Sequence, residues 1–214
     1  MVGISSGYAK VYRARFVPPE EHGKGNGLTL PWPCIERAGL VDAVTGLPPA
    51  ERTEISVCWN PDHVYVRFYC QDRYTKSSYT QRDEPLYEQD VVELFIDEQG
   101  EGTEYLEIEV SPNNVIFDAM IRHDGIDLML ECNTAWNMEG LVTSVYREAE
   151  DRLVYDIRLP AGAFLHPLTA GTRWRVNFYR IDEQPDGRRE YQAWSPTGAA
   201  QFHRPLAFGW LVLG

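Results

Sequence analysis

The chain has 214 residues, of which 43% are hydrophobic and 12% aromatic, and its formal net charge of -12 comes from 32 acidic and 20 basic residues. A length of this order fits one domain that buries its own core, so we expect a single domain over residues 1–214. An acidic surface repels phosphate backbones, so we expect no nucleic-acid partner.

The cysteines and the start of the chain indicate no zinc site and no targeting segment. No CxxC or Cys/His pair occurs at zinc spacing, and Cys58 and Cys70 lie in apolar runs where we expect buried free thiols. The stretch MVGISSGYAKVYRARF lacks the regions of a signal peptide, and no apolar run approaches about 18 residues. We therefore expect no membrane span and a cytoplasmic chain as it stands, or a secreted or periplasmic one if a leader was trimmed.

Strand patterns dominate the chain after a loop-rich beginning. The N-terminal third is rich in Pro and Gly, with an edge strand predicted at Ala9 to Phe16. The segment TEISVCWNPDHVYVRFYCQD predicts two strands joined by a turn at residues 60–63. Further strands are predicted at DVVELFID, TEYLEIEVSP, NNVIFDAMI, LVTSVYREAE, RLVYDIRLP, TRWRVNFYRID, REYQAWSP and FGWLVLG.

The spacing of the turns indicates the fold class. Turn signals recur at about the 8–12-residue spacing of a β-sandwich. Long amphipathic helices do not alternate with the strands, as they would in a parallel sheet. One short helical turn is predicted from Pro160 to Leu165. We therefore predict an all-β fold, an antiparallel two-sheet β-sandwich with one short helical turn.

Period-2 alternation places acids and aromatic residues on one face of two consecutive strands. Glu93 and Phe95 share a face of DVVELFID, and Tyr105, Glu107 and Glu109 share a face of YLEIEV. If these strands pair, all five side chains lie together. The face is then either a solvated outer face of the sheet or a ligand-binding surface, and the alternation is compatible with both.

Carboxylates in this arrangement fit three kinds of site. Glu93 and Glu107 could form the acid–base pair of a glycosidase, which needs carboxyls flanking the scissile bond. The loop DEQGEGTE, from Asp97 to Glu104, could hold calcium, although it lacks the EF-hand spacing. Carboxylates beside flat aromatic rings could instead bind the hydroxyls and the apolar face of a sugar.

Several other residues are candidates for ligand contact. Arg180 lies near the end of the strand TRWRVNFYRID. It could form a buried structural ion pair with an acid, or its guanidinium group could make two parallel hydrogen bonds to a ligand. Trp59 and Trp174 fall in strand patterns and are expected in the core. The aromatic residues that could stack on a sugar lie near acids, Asn or turn residues; they are Tyr87, Trp136, Tyr191 and Trp194.

With these residues assembled, the chain resembles the family 9 carbohydrate-binding modules among the DOMON-like β-sandwiches. The resemblance runs from about Glu51 to the end, through RDEPLYEQDVVELFID, YLEIEVSPNNVIFD, LVYDIRLP, WRVNFYRID and AWSPTGAAQFHRPLAFGWLVL. It implies a two-sheet sandwich that holds a sugar between two aromatic rings, with polar side chains on the hydroxyls. Some members carry structural calcium, which keeps the loop at Asp97 as a candidate metal site.

The resemblance also implies roles for particular positions. The first ring lies just before the D-x-V-E strand, at Tyr87, where the family tends to have Trp. The acid of that motif is Glu93, and Trp194 is the candidate for the second ring. The chain departs from the family at Glu107 and Glu109, where the binding modules present a basic or amide group.

We therefore predict non-catalytic binding of a mono- or oligosaccharide, clamped between Tyr87 and Trp194. Asp83 and Asp90 are expected to fix the loop through capping and turn hydrogen bonds. Polar contacts with the sugar are expected from Glu93, Glu107, Asn177 and Arg180.

Two other functions stay open. An interaction or structural module would have kept the fold without the ligand, and it predicts a closed cleft between Tyr87 and Trp194. A glycan-active enzyme would use Glu93 and Glu107 as acid and base. No cofactor is expected, apart from structural calcium as an alternative.

Overall fold

The computed structural model describes residues 9–19 and 30–214, which form fourteen strands joined by loops and confirm the predicted β-sandwich. The strands are β1 Val11–Phe16, β2 Ala38–Gly39, β3 Val41–Asp42, β4 Thr53–Asn60, β5 His63–Gln71, β6 Val91–Asp97, β7 Glu104–Val110, β8 Ile116–His123, β9 Met129–Asn133, β10 Val142–Ala149, β11 Arg152–Pro160, β12 Arg173–Glu183, β13 Arg189–Ala193 and β14 Gly209–Leu213.

Four short 3-10 turns interrupt the loops of the described residues. The turn predicted after Pro160 is present at Ala161–Ala163, and the others are Trp32–Cys34, Leu86–Glu88 and Pro205–Ala207. No helix within residues 9–19 and 30–214 has the length and apolar character needed to cross a membrane.

The strands form two sheets that β1 links. The first sheet has the order β1-β14-β12-β6-β7-β8-β9, with β13 beside β12 and β3 beside β13. The second sheet has the order β10-β11-β5-β4-β1, with β2 beside β4. Neighbouring strands run antiparallel except at β1, which is parallel to both β14 and β4.

The N-terminal strand is an edge strand, as predicted, because β1 is the outermost strand of each of the two sheets. Residues 11–14 pair with β14 in the first sheet, and residues 15–16 pair with β4 in the second. Tyr12 and Ala14 are buried in the core. Local alternation identified the strand, but its position depends on pairing with a strand at the other end of the chain.

The main core lies between the two sheets. Phe68 of β5 meets Phe178 of β12 with ring centroids 6.1 Å apart, so the apolar faces of the two sheets interlock. Alternate residues of β5 and β6 point into this core, and Trp59 and Trp174 are buried as expected. Cys58 and Cys70 are buried free thiols, and burial raises the pKa of each to about 12.

A second hydrophobic cluster, here called the outer cluster, covers the other face of the first sheet. Phe95 and Tyr179 belong to the sheet, whereas Phe202 and Phe208 belong to the loop between β13 and β14. Phe202 stacks on Tyr179 with centroids 4.1 Å apart, and Phe208 lies 6.0 Å from Phe95. This loop therefore shields part of a sheet face from solvent.

Candidate ligand-binding site

A cavity of about 590 Å³ opens on this shielded face of the first sheet. Glu93 of β6 and Glu107 and Glu109 of β7 contribute carboxylates to its lining. The aromatic residues that line it are Tyr87, Phe117, Tyr191 and Phe202. The cavity thus combines apolar ring surfaces with a compact set of acids.

The register of the sheet explains why three glutamates meet. Glu93 lies opposite Glu109 in the antiparallel β6–β7 pair, and Glu107 lies two residues away on the same face. One carboxylate oxygen from each of the three lies within 4.8 Å of the other two. The predicted common face of these strands is confirmed; the three residues are called the glutamate trio below.

The glutamate trio does not lie on a solvated outer face, so that interpretation of the alternation is wrong. Glu93, Glu107 and Glu109 are 2%, 4% and 1% exposed. The loop between β13 and β14 covers this side of the sheet through the outer cluster. A local pattern of alternating residues cannot show that a distant loop folds over one of the two faces.

Burial raises the pKa of all three carboxyls. It raises the pKa of Glu107 to about 8, against a smaller opposing effect of a hydrogen bond with Glu109. Burial, followed by the charge of Glu107, raises the pKa of Glu93, which Arg189 tends to lower. Burial, followed by the charges of Glu93 and Glu107, raises the pKa of Glu109. Glu107 therefore retains its proton at neutral pH while no positive charge enters the cavity, and burial disfavours the ionised forms of Glu93 and Glu109.

Two carboxyl oxygens of the trio lack a hydrogen-bond partner among the described residues. They are Glu93 Oε1 and Glu109 Oε2, both buried. A buried polar atom without a partner costs roughly 1–3 kcal/mol, and most such atoms in proteins are satisfied. A ligand that donates hydrogen bonds would complete this arrangement.

His203 lies beside the trio and is uncharged at neutral pH. Its Nε2 is 3.7 Å from Glu107 Oε1, and its Nδ1 is 2.9 Å from the Tyr105 hydroxyl. Burial, followed by the nearby His123, lowers the pKa of His203 to about 4. The contact with Glu107 is therefore not an ion pair, and His203 does not neutralise the trio.

Tyr87 stands at the rim of the cavity on the turn Leu86–Glu88. Its side chain is 50% exposed, whereas its neighbour Leu86 is fully buried in the outer cluster and anchors the turn. Arg189 donates a hydrogen bond to the backbone oxygen of Tyr87 and so ties the turn to β13. The ring predicted for stacking is thus presented at the cavity.

Another part of the cavity lining consists of Arg189 and the rings of Tyr191 and Phe202. The guanidinium carbon of Arg189 lies 5.4 Å from the centre of the Tyr191 ring. Tyr191 in turn meets Phe202 edge-on, with centroids 6.0 Å apart. Phe202 stacks on Tyr179 of β12, and this contact fixes its position relative to the sheet.

Trp194 lies away from the cavity, which corrects its predicted pairing with Tyr87. Its neighbour Ala193 faces the outer cluster opposite Tyr179, so the next side chain points to the other side of the sheet. Trp194 is 3% exposed in the main core, and its ring lies 5.7 Å from that of Phe178. Tyr191, two residues before Ala193, occupies the cavity face instead.

Asn177 and Arg180 are also absent from the cavity lining. The amide nitrogen of Asn177 donates to the Tyr179 hydroxyl at 2.9 Å and to the Ser195 carbonyl at 2.8 Å, so this side chain is committed to the fold. Arg180 donates to the carboxylates of Asp72 and Asp182. Of the two roles considered for Arg180, the structure has the buried ion pair.

Asp90 and Asp97 hold loops near the site through side-chain hydrogen bonds. Asp90 accepts hydrogen bonds from the backbone N–H groups of Lys76 and Glu183, which confirms its predicted role. Asp83 lines the cavity instead, and its buried Oδ1 has no hydrogen-bond partner among the described residues. Asp97 accepts from the N–H groups of two glycines, at positions 100 and 102, each at 2.7 Å. Its oxygens thus close the hairpin loop, and calcium at this loop stays a prediction.

The structure adds residues to which the sequence assigned no ligand role. Glu109 carried a usable signal, because side-chain alternation places it on the same face as Glu107. Tyr191 was already one of the stacking candidates, and the same alternation places it on the face opposite to Trp194. Phe202 and His203 lie in a loop, where no periodicity gives the direction of a side chain. Arg189 begins a short strand, and no spacing distinguished it from the other arginines.

Comparison with known sequences supports one family assignment. The family model described as Carbohydrate family 9 binding domain-like matches residues 34–214. A relative from Arthroderma benhamiae, described as an extracellular protein, is 25% identical over 187 residues, which cover 81% of this chain and 82% of the relative.

Three solved structures share the fold at 16–17% sequence identity. A candidate carbohydrate-binding protein from Bacteroides uniformis has a TM-score of 0.79 and covers 97% of this chain and 100% of its own. A family 9 carbohydrate-binding module from Caldicellulosiruptor kristjanssonii has TM-scores of 0.65 with glucose and 0.67 with cellotriose. These two structures cover 96% and 95% of this chain, and 96% and 93% of their own. Because the family model spans most of its residues, the chain belongs to the Carbohydrate family 9 binding domain-like family.

Proposed function

We propose that the chain binds carbohydrate, without catalysis, in the cavity above the glutamate trio. The observation that carries this proposal is the combination of aromatic walls with buried carboxyl oxygens that lack partners. Sugars present an apolar ring face and several hydroxyl donors, and such cavities match both. The solved family 9 modules with glucose and cellotriose give independent support for this ligand class.

The roles within the site follow from position. Tyr87 offers an exposed ring at the rim, and Tyr191 and Phe202 offer rings inside. Glu93 and Glu109 accept hydrogen bonds from hydroxyls through their free oxygens. The pair Tyr87 and Tyr191 thus replaces the clamp of Tyr87 and Trp194.

Two observations favour binding over the alternative functions. An open cavity of about 590 Å³ is not expected of a module that has kept only the fold. The trio rises from one face of two adjacent strands, with oxygens from all three within 4.8 Å. Glycosidase carboxyls instead flank the scissile bond from its two sides.

A thermal-shift screen against mono- and oligosaccharides, with and without calcium, tests the proposal. A ligand at a hundred times its dissociation constant adds about 2.7 kcal/mol to the stability of the folded state. For a domain of this size, we expect the melting temperature to rise by about 5–10 °C. A flat response to every sugar would refute carbohydrate binding, and a rise with calcium alone would indicate a metal site.

Replacing Tyr87 by alanine tests the stacking role. We expect sugar affinity to fall about tenfold or more, because a stacked ring and its buried area are lost. The half-exposed side chain contributes little to the core, so the melting temperature without sugar should change little. Calorimetric titration of Tyr87→Ala gives the affinity.

Tyr146→Ala is the matched control for this substitution. Tyr146 is 41% exposed on β10, at the far edge of the second sheet. It removes the same ring from a surface remote from the cavity, and its affinity should equal that of the unmodified protein. Equal affinities of all three proteins would exclude Tyr87 from the site.

A further inference from the structure

The charge of the cavity points to a narrower ligand class than sugars in general. The three carboxyl groups of the glutamate trio lie together, and Arg189 is the one arginine or lysine among the described lining residues. Its guanidinium is already engaged by the Tyr87 carbonyl and lies near the Tyr191 ring. Because His203 is neutral, the trio has more acidic groups than neighbouring positive charges.

The free oxygens of the trio are placed to receive a cation. Glu93 Oε1 and Glu109 Oε2 are buried, lack partners among the described residues and belong to side chains that line the cavity. A neutral hydroxyl would satisfy one such oxygen with a hydrogen bond. An ammonium group would donate up to three hydrogen bonds and also balance the carboxylate charge, which counts for more in a buried site.

The shape and lining of the cavity favour an organic cation over a bare metal ion. Calcium is held by six to eight oxygens in a compact shell, whereas this cavity is about 590 Å³ and has large aromatic surfaces. Aromatic faces attract ammonium groups and also stack on the apolar face of a sugar ring. A nearby ammonium favours the ionised form of a carboxyl, so the ligand itself would stabilise the charged trio.

We propose that the cavity selects an amino sugar, with its protonated amine against Glu93, Glu107 and Glu109 and its ring against Tyr87 and Tyr191. This inference rests on the proposed carbohydrate binding and names the class of sugar. The amine supplies the positive charge that would balance the carboxylates of the trio, and the sugar ring packs against the aromatic residues of the cavity.

Calorimetric titration with three matched monosaccharides and their β-1,4-linked oligomers tests this proposal. The probes are glucosamine, glucose and N-acetylglucosamine at about pH 6, where a primary amine is protonated. We expect the glucosamine ligands to bind at least about tenfold more tightly than both others. Glucose replaces the amine by a neutral hydroxyl of similar size, so it tests the charge, and the N-acetyl compounds keep the nitrogen without the charge but add an acetyl group.

Neutral variants of the trio show whether the carboxylates cause this preference. Glu93→Gln and Glu109→Gln each keep the size of the side chain, and we expect each to lower the glucosamine-to-glucose affinity ratio at least about fivefold. Glu148→Gln is the control, since Glu148 is an exposed acid on β10 of the second sheet. It removes the same formal charge and should leave the ratio unchanged.

The outcomes separate this inference from the proposed function. If glucose binds as tightly as glucosamine, the amino-sugar inference fails while carbohydrate binding stands. If no sugar binds, both fail. If calcium chloride alone displaces glucosamine and stabilises the protein, or if methylammonium binds as tightly as glucosamine, the trio is a general cation site and the inference is overturned.

Discussion

Replacement of Trp194 by alanine is expected to lower the free energy of unfolding by about 3–5 kcal/mol and to leave the sugar affinity of the folded protein unchanged. Trp194 is buried between the sheets, where its ring packs edge-on against Phe178. The ring also fills the space beside Gly209, where even a Cβ would collide with it. Removing it leaves a large internal cavity that the surrounding sheets cannot close.

Chemical denaturation and sugar titration of the same samples measure both parts of this prediction. Tyr87→Ala should show the opposite behaviour, with weakened binding and little change in stability. If Trp194→Ala folds too poorly for titration, Trp194→Phe keeps an aromatic core residue and should bind sugar normally. A loss of affinity in folded Trp194→Phe that matches the loss in Tyr87→Ala would restore the clamp predicted from the sequence.

Raising the pH from about 5 to about 8 is expected to destabilise the ligand-free protein, and Glu107→Gln should remove a large part of that loss. The pKa of Glu107 is raised from 4.5 to about 8. The folded state therefore binds this proton more tightly than the unfolded chain does. Its stabilising effect is complete below pH 4.5 and disappears as the pH rises through about 8. At about 1.4 kcal/mol per pKa unit, the change amounts to several kcal/mol.

Melting curves of both proteins across this pH range provide the measurement. Burial also raises the pKa of Asp90 to about 6 and that of Asp182 to about 7, and these groups act in the same direction in both proteins. The difference between the two curves therefore isolates the contribution of Glu107, including its coupling to Glu93 and Glu109. Parallel curves for Glu107→Gln and the unmodified protein would contradict a strongly raised pKa at Glu107.

Much of the fold could be predicted because strand alternation is a local property of the sequence. The turn at residues 60–63 and the inward faces of β5 and β6 follow from short stretches of apolar and polar residues. Local patterns did not show that β1 links the two sheets, because its partners β4 and β14 are distant in sequence. They also missed β9, in which every residue is exposed and no apolar face marks the strand.

The candidate site could be predicted in part, for the same reason. The common face of Glu93, Glu107 and Glu109 follows from the alternation of side chains along each strand and from the pairing of two consecutive strands. The absence of Trp194 from the cavity follows from the same alternation, once Ala193 is known to face the outer cluster. The positions of Phe202 and His203 depend on how a long loop folds back over the sheet, which alternation does not encode.

The sequence by itself determined the sandwich, most of its strands and the chemical character of one sheet face. Those features depend on the order of polar and apolar residues within a few positions. Only the tertiary structure decided that this face is buried, that its carboxyls lack partners and that Tyr191 rather than Trp194 stands beside it. Burial and solvation depend on contacts between distant segments, and here the loop between β13 and β14 changed an acidic strand face into a shielded cavity.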